Sequence, residues 1–241
     1  MTDLTLYLGN RTYSSWSMRA WLVLEASGLS FGEEMIRLRE PGFEEALAKA
    51  SPGRTVPALH DGDLMLSETL AIAEYVAEAA PDAGLWPADR RERALARMMA
   101  TRMAVGFGPL RAECPMNLSN RFDAGPPSEA VQRDIADLEA LWRPQLAKPR
   151  AGGPFLFGRF GIVDAFFAPI AMRAYTHRLP VAEDAAAYLS ALIEAPPVRR
   201  WIEDATQEPP RDPTVVGIFA SALYDPGDFP VLRDPSLTIR A

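Results

Sequence analysis

The sequence predicts an α/β domain followed by an all-helical domain, on the order of its apolar segments and on a change of periodicity near Pro81. Thr5 to Leu8 alternates like a half-buried strand, with Leu4, Leu6 and Leu8 on one face. Ser14 to Gly28 reads as a helix stopped by its glycine, and Phe31 to Arg39 as a second strand ending before Pro41. Phe43 to Ala50 is a short helix closed by Ser51-Pro52-Gly53. Val56-Pro57-Ala58-Leu59 opens a third strand, Asp61-Gly62 turns the chain, and Leu64-Met65-Leu66 pairs back. Thr69 to Ala80 completes a βαβαββα order, which fits a small mixed sheet with helices on its faces.

Beyond Pro81 only helical spacing remains. Residues 82–88 read as a linker between domains at 1–81 and 89–205. Within the second, helices are expected over 89–113, 128–147, 162–177, 183–194 and 197–205. Leu95, Met99, Met103 and Phe107 recur every fourth position and define one stripe. Residues 206–241 hold six prolines and read as an extended tail, with Val215, Val216, Ile218 and Phe219 as candidate anchors.

Composition removes several function classes. Net charge is −7 over 241 residues, the wrong sign for a nucleic-acid surface. The single cysteine, Cys114, allows no internal disulfide or cysteine metal cluster, and His60 and His177 lack metal-ligand spacing. No apolar run reaches the roughly 18 residues of a membrane span. The start Met-Thr-Asp lacks the features of a signal peptide, so a cytosolic location is expected. Phosphate-binding glycine loops are absent as well.

Three sites then suggest one ligand. Ser14, Ser15 and Ser17 flank Trp16 where the first helix begins. One of these hydroxyls is enough for an N-cap; the others add donors where the helix dipole favours an anion. Val56-Pro57 is the second site. It is either an edge proline or, with a cis bond, a place where Val56 presents N–H and C=O to an extended peptide. Ser67-Glu68-Thr69 is the third, with either hydroxyl as cap, free amides for a carboxylate and Glu68 for an ammonium. Together they suit a short peptide with an α-amino acid end and an ionisable side chain near Ser14.

These elements resemble the cytosolic glutathione transferases over roughly residues 3–205. Ser-Ser-Trp-Ser-Met-Arg-Ala-Trp-Leu-Val-Leu at 14–24 is similar to the serine motif of their zeta class. Thr55-Val56-Pro57-Ala58-Leu59 and Glu68-Thr69 match two further family elements, and Phe160 to Asp164 resembles the helix-capping segment of the family's second domain. The resemblance implies a thioredoxin-like N-terminal domain, a helical C-terminal domain, a homodimer and glutathione as co-substrate, with no metal. It implies that Ser14 donates to the glutathione sulfur, with Ser15 as its alternate. Val56 beside a cis Pro57 would pair with the cysteinyl backbone, Glu68 and Thr69 would hold the γ-glutamyl end, and Arg54 would face the glycyl carboxylate.

The implied partner is a small hydrophobic electrophile, with Trp16, Met99, Met103, Phe107 and Tyr175 as candidate pocket residues. The apolar members read equally as interdomain core. Trp16, Met18 and Trp21 depart from the zeta pattern, so conjugation leads. Glutathione-dependent isomerisation, dehalogenation or ether cleavage, and a non-catalytic binding role, are the alternatives. Gly161 stands in place of a hydroxyl cap, and Asp164 is expected to accept from its amide. Cys114 reads as inert, His60 as a solvated turn residue, and His177 as a helix-end cap.

Overall fold

The computed structural model describes residues 4–119, 125–149 and 151–208. Its first part runs β1 (Leu4–Leu8), α1 (Ser15–Ser27), β2 (Gly32–Met35), α2 (Phe43–Ala50), β3 (Ala58–Asp61), β4 (Leu64–Ser67) and α3 (Thr69–Ala79). The four strands lie in the order β2-β1-β3-β4; β1 is parallel to β2 and antiparallel to β3, which is antiparallel to β4. This is a thioredoxin-like sheet, and a helical region follows it: α4 (Arg90–Val105), α5 (Gly108–Glu113), α6 (Glu129–Leu146), α7 (Ile162–Thr176), α8 (Glu183–Glu194) and α9 (Pro196–Thr206).

Local chemistry accounts for the boundaries. Leu4, Leu6 and Leu8 are buried while Thr5 and Tyr7 are half-buried, so β1 keeps its period of two. Gly28 ends α1 in the left-handed region at φ 73°, which glycine adopts without strain. The second strand is shorter than the expected 31–39. Ile36 N–H still donates to Leu8 O at 2.8 Å, but β1 stops there, and Leu38 N–H goes instead to Asn10 Oδ1 at 3.0 Å. The third strand starts at Ala58 rather than Val56, because Pro57 has no N–H to give a ladder. The hairpin loop is the Gly62-Asp63 pair, since Asp61 pairs with Leu64.

The helix expected over 89–113 is two helices. Gly106 N–H closes α4 on Arg102 O at 3.0 Å, and Phe107 then turns left-handed at φ 63° to open α5. Pro109 is the cause: a continuing helix would bring its ring against the carbonyl of Val105. The four-residue stripe therefore does not hold. Met99 and Met103 are buried, Leu95 is exposed, and Phe107 lies outside α4. His60 is likewise no solvated turn residue. It sits in β3, its ring 4.4 Å from that of Tyr7 and its Nε2 2.7 Å from Ala50 O. Part of the expected linker is a 3-10 turn, Pro81–Ala83.

One apolar core runs through both parts. Its axis is α7, buried along its whole length, against which α1, α4 and α8 pack. Gly161 caps α7 without a side chain, and its N–H donates to Asp164 Oδ2 at 3.0 Å, as the sequence led one to expect. The ring of Trp21 meets that of Trp201 at 5.4 Å and joins α1 to α9. Among the described residues no helix is long and apolar enough to cross a membrane. The prolines from Pro209 onward and the anchors Val215, Val216, Ile218 and Phe219 lie outside the described residues.

Candidate functional site

The loop from Gly9 to Ser14 delivers the serines to the start of α1. Asn10 O accepts from the amides of Tyr13 (3.1 Å) and Ser14 (2.8 Å), which closes the turn. Ser14 is the N-cap, its Oγ accepting from Ser17 N–H at 3.3 Å and lying 2.7 Å from Ser17 Oγ. Ser17 Oγ in turn accepts from Gly9 N–H at 2.9 Å. Ser15 N–H donates to Tyr13 O at 3.1 Å, and Ser15 Oγ accepts from Arg173 Nη2 at 3.3 Å. The cap reading thus holds for Ser14. In α1 the amides of Ser15, Ser17 and Met18 are already used, and Trp16 N–H has no acceptor among the described residues.

The start of α3 differs. Its N-cap is Glu68, with φ 69° and ψ 113°, and no side chain caps it. Neither Ser67 nor Thr69 takes the expected cap position. Ile72 N–H reaches Glu68 O at 3.0 Å, while Thr69, Leu70 and Ala71 amides have no protein acceptor among the described residues. An uncapped helix start leaves N–H groups that attract an anion. The Val56-Pro57 peptide is cis.

A cavity of about 250 Å³ joins these pieces, lined by Trp16, Thr55, Val56, Pro57, Glu68 and Thr69. It brings three candidate segments to one place. Thr55 is an addition that its position beside Val56 could have signalled. Ser14 and Ser15 are buried beside Trp16 without lining it, and Arg54 is exposed on the adjoining turn at φ 53°. Four expected pocket residues are not brought there. Met99 and Met103 are fully enclosed in the core, and Phe107 and Tyr175 are buried away from the cavity lining. Their apolar spacing belongs to packing, which needs the same residue types. A second cavity, about 270 Å³, lies between Gly84–Asp89 and Phe157–Asp164 and contains none of the expected site residues.

Electrostatics add what the sequence reading missed. Arg19, Arg111 and Arg173 approach Ser15 and Trp16 from α1, α5 and α7. Burial pulls Arg19 well below the usual guanidinium range, and Arg111 and Arg173 add repulsion. Burial and then Arg111 bring Arg173 down to about 9. The available signal was an arginine set in an apolar helical run, Met18-Arg19-Ala20-Trp21 and Met172-Arg173-Ala174-Tyr175. Cys114 is buried, and desolvation pushes its thiol up to about 11. His177 ends α7, with Nε2 2.8 Å from Pro115 O.

Comparison with known proteins bears on the fold and on its N-terminal part. Residues 13–79 match the family described as "Glutathione S-transferase, N-terminal domain". A maleylacetoacetate isomerase from Rattus norvegicus is 34% identical over 109 residues, 44% of this chain and 50% of that protein. A glutathione S-transferase from Triticum aestivum is 31% identical over 124 residues, 51% of this chain and 56% of that protein. The chain spans about half the length of the curated relatives it matches. Among solved structures, a glutathione transferase homologue from Burkholderia, with bound glutathione, superposes with a TM-score of 0.67 at 29% identity, over 86% of this chain and 100% of that one. A bacterial zeta-class maleyl pyruvate isomerase superposes at 0.65 with 22% identity, over 86% and 100%. The fold is that of the glutathione transferases, and the match to their N-terminal domain extends over residues 13–79.

Proposed function

We propose that the protein is a glutathione-dependent enzyme that holds the tripeptide in the cavity between Val56 and α3 and presents its sulfur to α1. The carrying observation is the gathering of Trp16, Val56, the cis Pro57, Glu68 and Thr69 around one cavity at an uncapped helix start. In this reading the amides of Thr69, Leu70 and Ala71 take the α-carboxylate of the γ-glutamyl end, and Glu68 takes its ammonium. Val56 pairs with the cysteinyl backbone, as one rung of strand addition. Arg54, exposed nearby, faces the glycyl carboxylate.

A free thiol has a pKa near 8.5, so lowering it by about two units needs roughly 2.7 kcal/mol of preference for the anion. A helix terminus in a partly buried setting supplies up to about 2 kcal/mol, and a hydrogen bond to a charged group about 1.5–3 kcal/mol. A serine donor at α1 therefore suffices without a general base. Ser14 and Ser15 both remain in reach of the role. The hydroxyl of Ser14 is engaged with Ser17, whereas Ser15 accepts from Arg173 and keeps its own proton to give. The thiolate then attacks a small electrophile, forming the S–C bond as the leaving group departs with its electron pair.

Thiolate absorbance of bound glutathione, titrated against pH, tests this. Alanine at Ser15 or at Ser14 is expected to raise the thiol pKa by one to two units. An unchanged curve for both variants refutes the reading. Isomerisation is the second reading, favoured by the isomerase relatives; a product of unchanged mass with glutathione regenerated would select it. A homodimer in the cytosol completes the proposal, with Leu64 and Met65 of β4 and Met98 of α4 as exposed apolar surface.

A further inference from the structure

The loop that carries the serines to α1 is not held by the sheet alone. Asn10, Arg11 and Thr12 are buried, so their peptide groups need partners inside the protein. Asn10 finds its own nearby: its O takes the amides of Tyr13 and Ser14, and its Oδ1 takes that of Leu38. Arg11 and Thr12 are met from the helical part instead. Both amides go to the Glu208 carboxylate, Arg11 N–H to Oε1 at 2.5 Å and Thr12 N–H to Oε2 at 3.3 Å. The Thr12 hydroxyl also donates to Oε2, at 3.1 Å, and Thr12 O accepts from Leu118 N–H at 3.1 Å.

Glu208 stands 196 residues from Thr12, just past α9, and that helix puts it in place. Its N–H donates to Ala205 O at 3.3 Å, which continues the last turn beyond Thr206. The helix is seated on α1 by the ring contact of Trp201 with Trp21. The Arg11 guanidinium lies 5.1 Å from the Trp201 ring and pairs with Glu33. Without the Glu208 carboxylate, two buried amides and a hydroxyl lose their acceptor, and a buried donor is expensive to leave unmet. The loop then turns to reach water, and Ser14 and Ser15 move with it.

We propose that Glu208 is a positioning residue for the thiol chemistry: its carboxylate fixes the loop from Gly9 to Ser14 and so sets the serine hydroxyls against the glutathione sulfur. This rests on the glutathione reading above and extends it to the end of α9. Glu208 lines no part of the cavity, so it acts through the loop and not by touching the ligand. Charge and position pull in opposite directions. A carboxylate near a thiol disfavours the thiolate, so losing its charge alone lowers the thiol pKa. Losing its hold on the loop withdraws the serine donor and raises that pKa. The sign of the shift separates the two effects.

Thiolate absorbance of bound glutathione, titrated against pH in the full chain, is the test, with Glu208→Ala, Glu208→Gln and Asp204→Ala beside the wild type. Glu208→Ala is expected to raise the thiol pKa by about 0.7 to 1 unit. With saturating glutathione, its kcat/KM for 1-chloro-2,4-dinitrobenzene should then fall about fivefold to tenfold at pH 6 and return to within about twofold of wild type at pH 9.5. In that reaction the thiolate bonds to the ring carbon and chloride leaves with the electron pair. A loss by the same factor at every pH marks a merely structural role and overturns the proposal. Glu208→Gln, equal in size and with one acceptor left, should shift the curve the same way by less; an unmoved or lowered pKa in both Glu208 variants also overturns it. Asp204→Ala removes a carboxylate 3.6 Å from the Arg11 guanidinium but no acceptor of a loop amide, and should keep the wild-type curve; a shift equal to that of Glu208→Ala overturns the proposal. Ser14→Ala and Ser15→Ala report on the earlier reading separately. A curve that neither serine moves sinks both readings, whereas a serine-dependent curve that Glu208 does not move sinks only the positioning role.

Discussion

Asp164 sets burial against hydrogen bonding, and the outcome can be measured. Its carboxyl is 1% exposed at the start of α7 and receives three donors: Leu156 N–H at 3.2 Å, Gly161 N–H at 3.0 Å and Tyr188 O–H at 3.0 Å. Those bonds favour the ionised form, but desolvation outweighs them and pushes the group from 3.8 up to about 7. A rise of that size corresponds to about 4 kcal/mol against ionisation in the folded state. Between the two values the folded chain holds a proton that the unfolded chain has released, so stability falls as pH rises. Asp164→Asn removes the titration, and its fixed packing cost does not vary with pH. Urea unfolding of both proteins should show the wild type losing about 2–3 kcal/mol relative to the variant between pH 5 and pH 8. A difference that is flat would mean an ordinary carboxyl. One that grows in favour of the wild type as pH rises would mean that the three donors win, and the desolvation argument would be wrong.

Three further perturbations probe the same framework. Gly161→Ala places a Cβ 2.6 Å from Leu85 O, so the linker or α7 must shift, and a loss of about 1–3 kcal/mol is expected in denaturant unfolding. Glu208 accepts from the amides of Arg11 and Thr12 and from the Thr12 hydroxyl, tying the end of α9 to the loop before Ser14. Glu208→Ala should cost about 1–3 kcal/mol and raise the KM for glutathione, whereas Asp204→Ala, whose carboxylate stands 3.6 Å from Arg11, should cost under about 1 kcal/mol. With its thiol at about 11, Cys114 should stay unmodified by a disulfide reagent at pH 8 in the native protein and react fully in urea.

What could be read in the sequence was local. The bounds of α2 and α8, the Gly28 stop and the Gly161–Asp164 cap follow from residues within a few positions of each other. The same holds for Val56-Pro57 and Glu68-Thr69, whose backbone chemistry is written in adjacent residues. Errors arose where a rule of one residue overrode a pattern of many. Pro109 broke a helix that four apolar positions had suggested, and Pro57 delayed a strand expected to open at Val56. Trp16 lines the cavity, and Met99 and Met103 lie away from it for another reason: a methionine stripe has one appearance whether it lines a cavity or fills a core, and these two fill the core.

The arginine cluster marks the limit of such reading. Its members stand at positions 19, 111 and 173, on three helices whose approach depends on the packing of α7 against α1 and on the break at Phe107. Each alone resembles an arginine that anchors a helix, and each does so, through Phe166 O, Gly106 O and Pro169 O. What a helix anchor does not require is the remainder: vacant Nη groups on Arg19, a vacant Nε on Arg173, and no ion pair to any of the three among the described residues. Anchoring would be served by one guanidinium with its counter-ion. Three without one, beside the serine expected to meet a thiolate, favour negative charge on the sulfur.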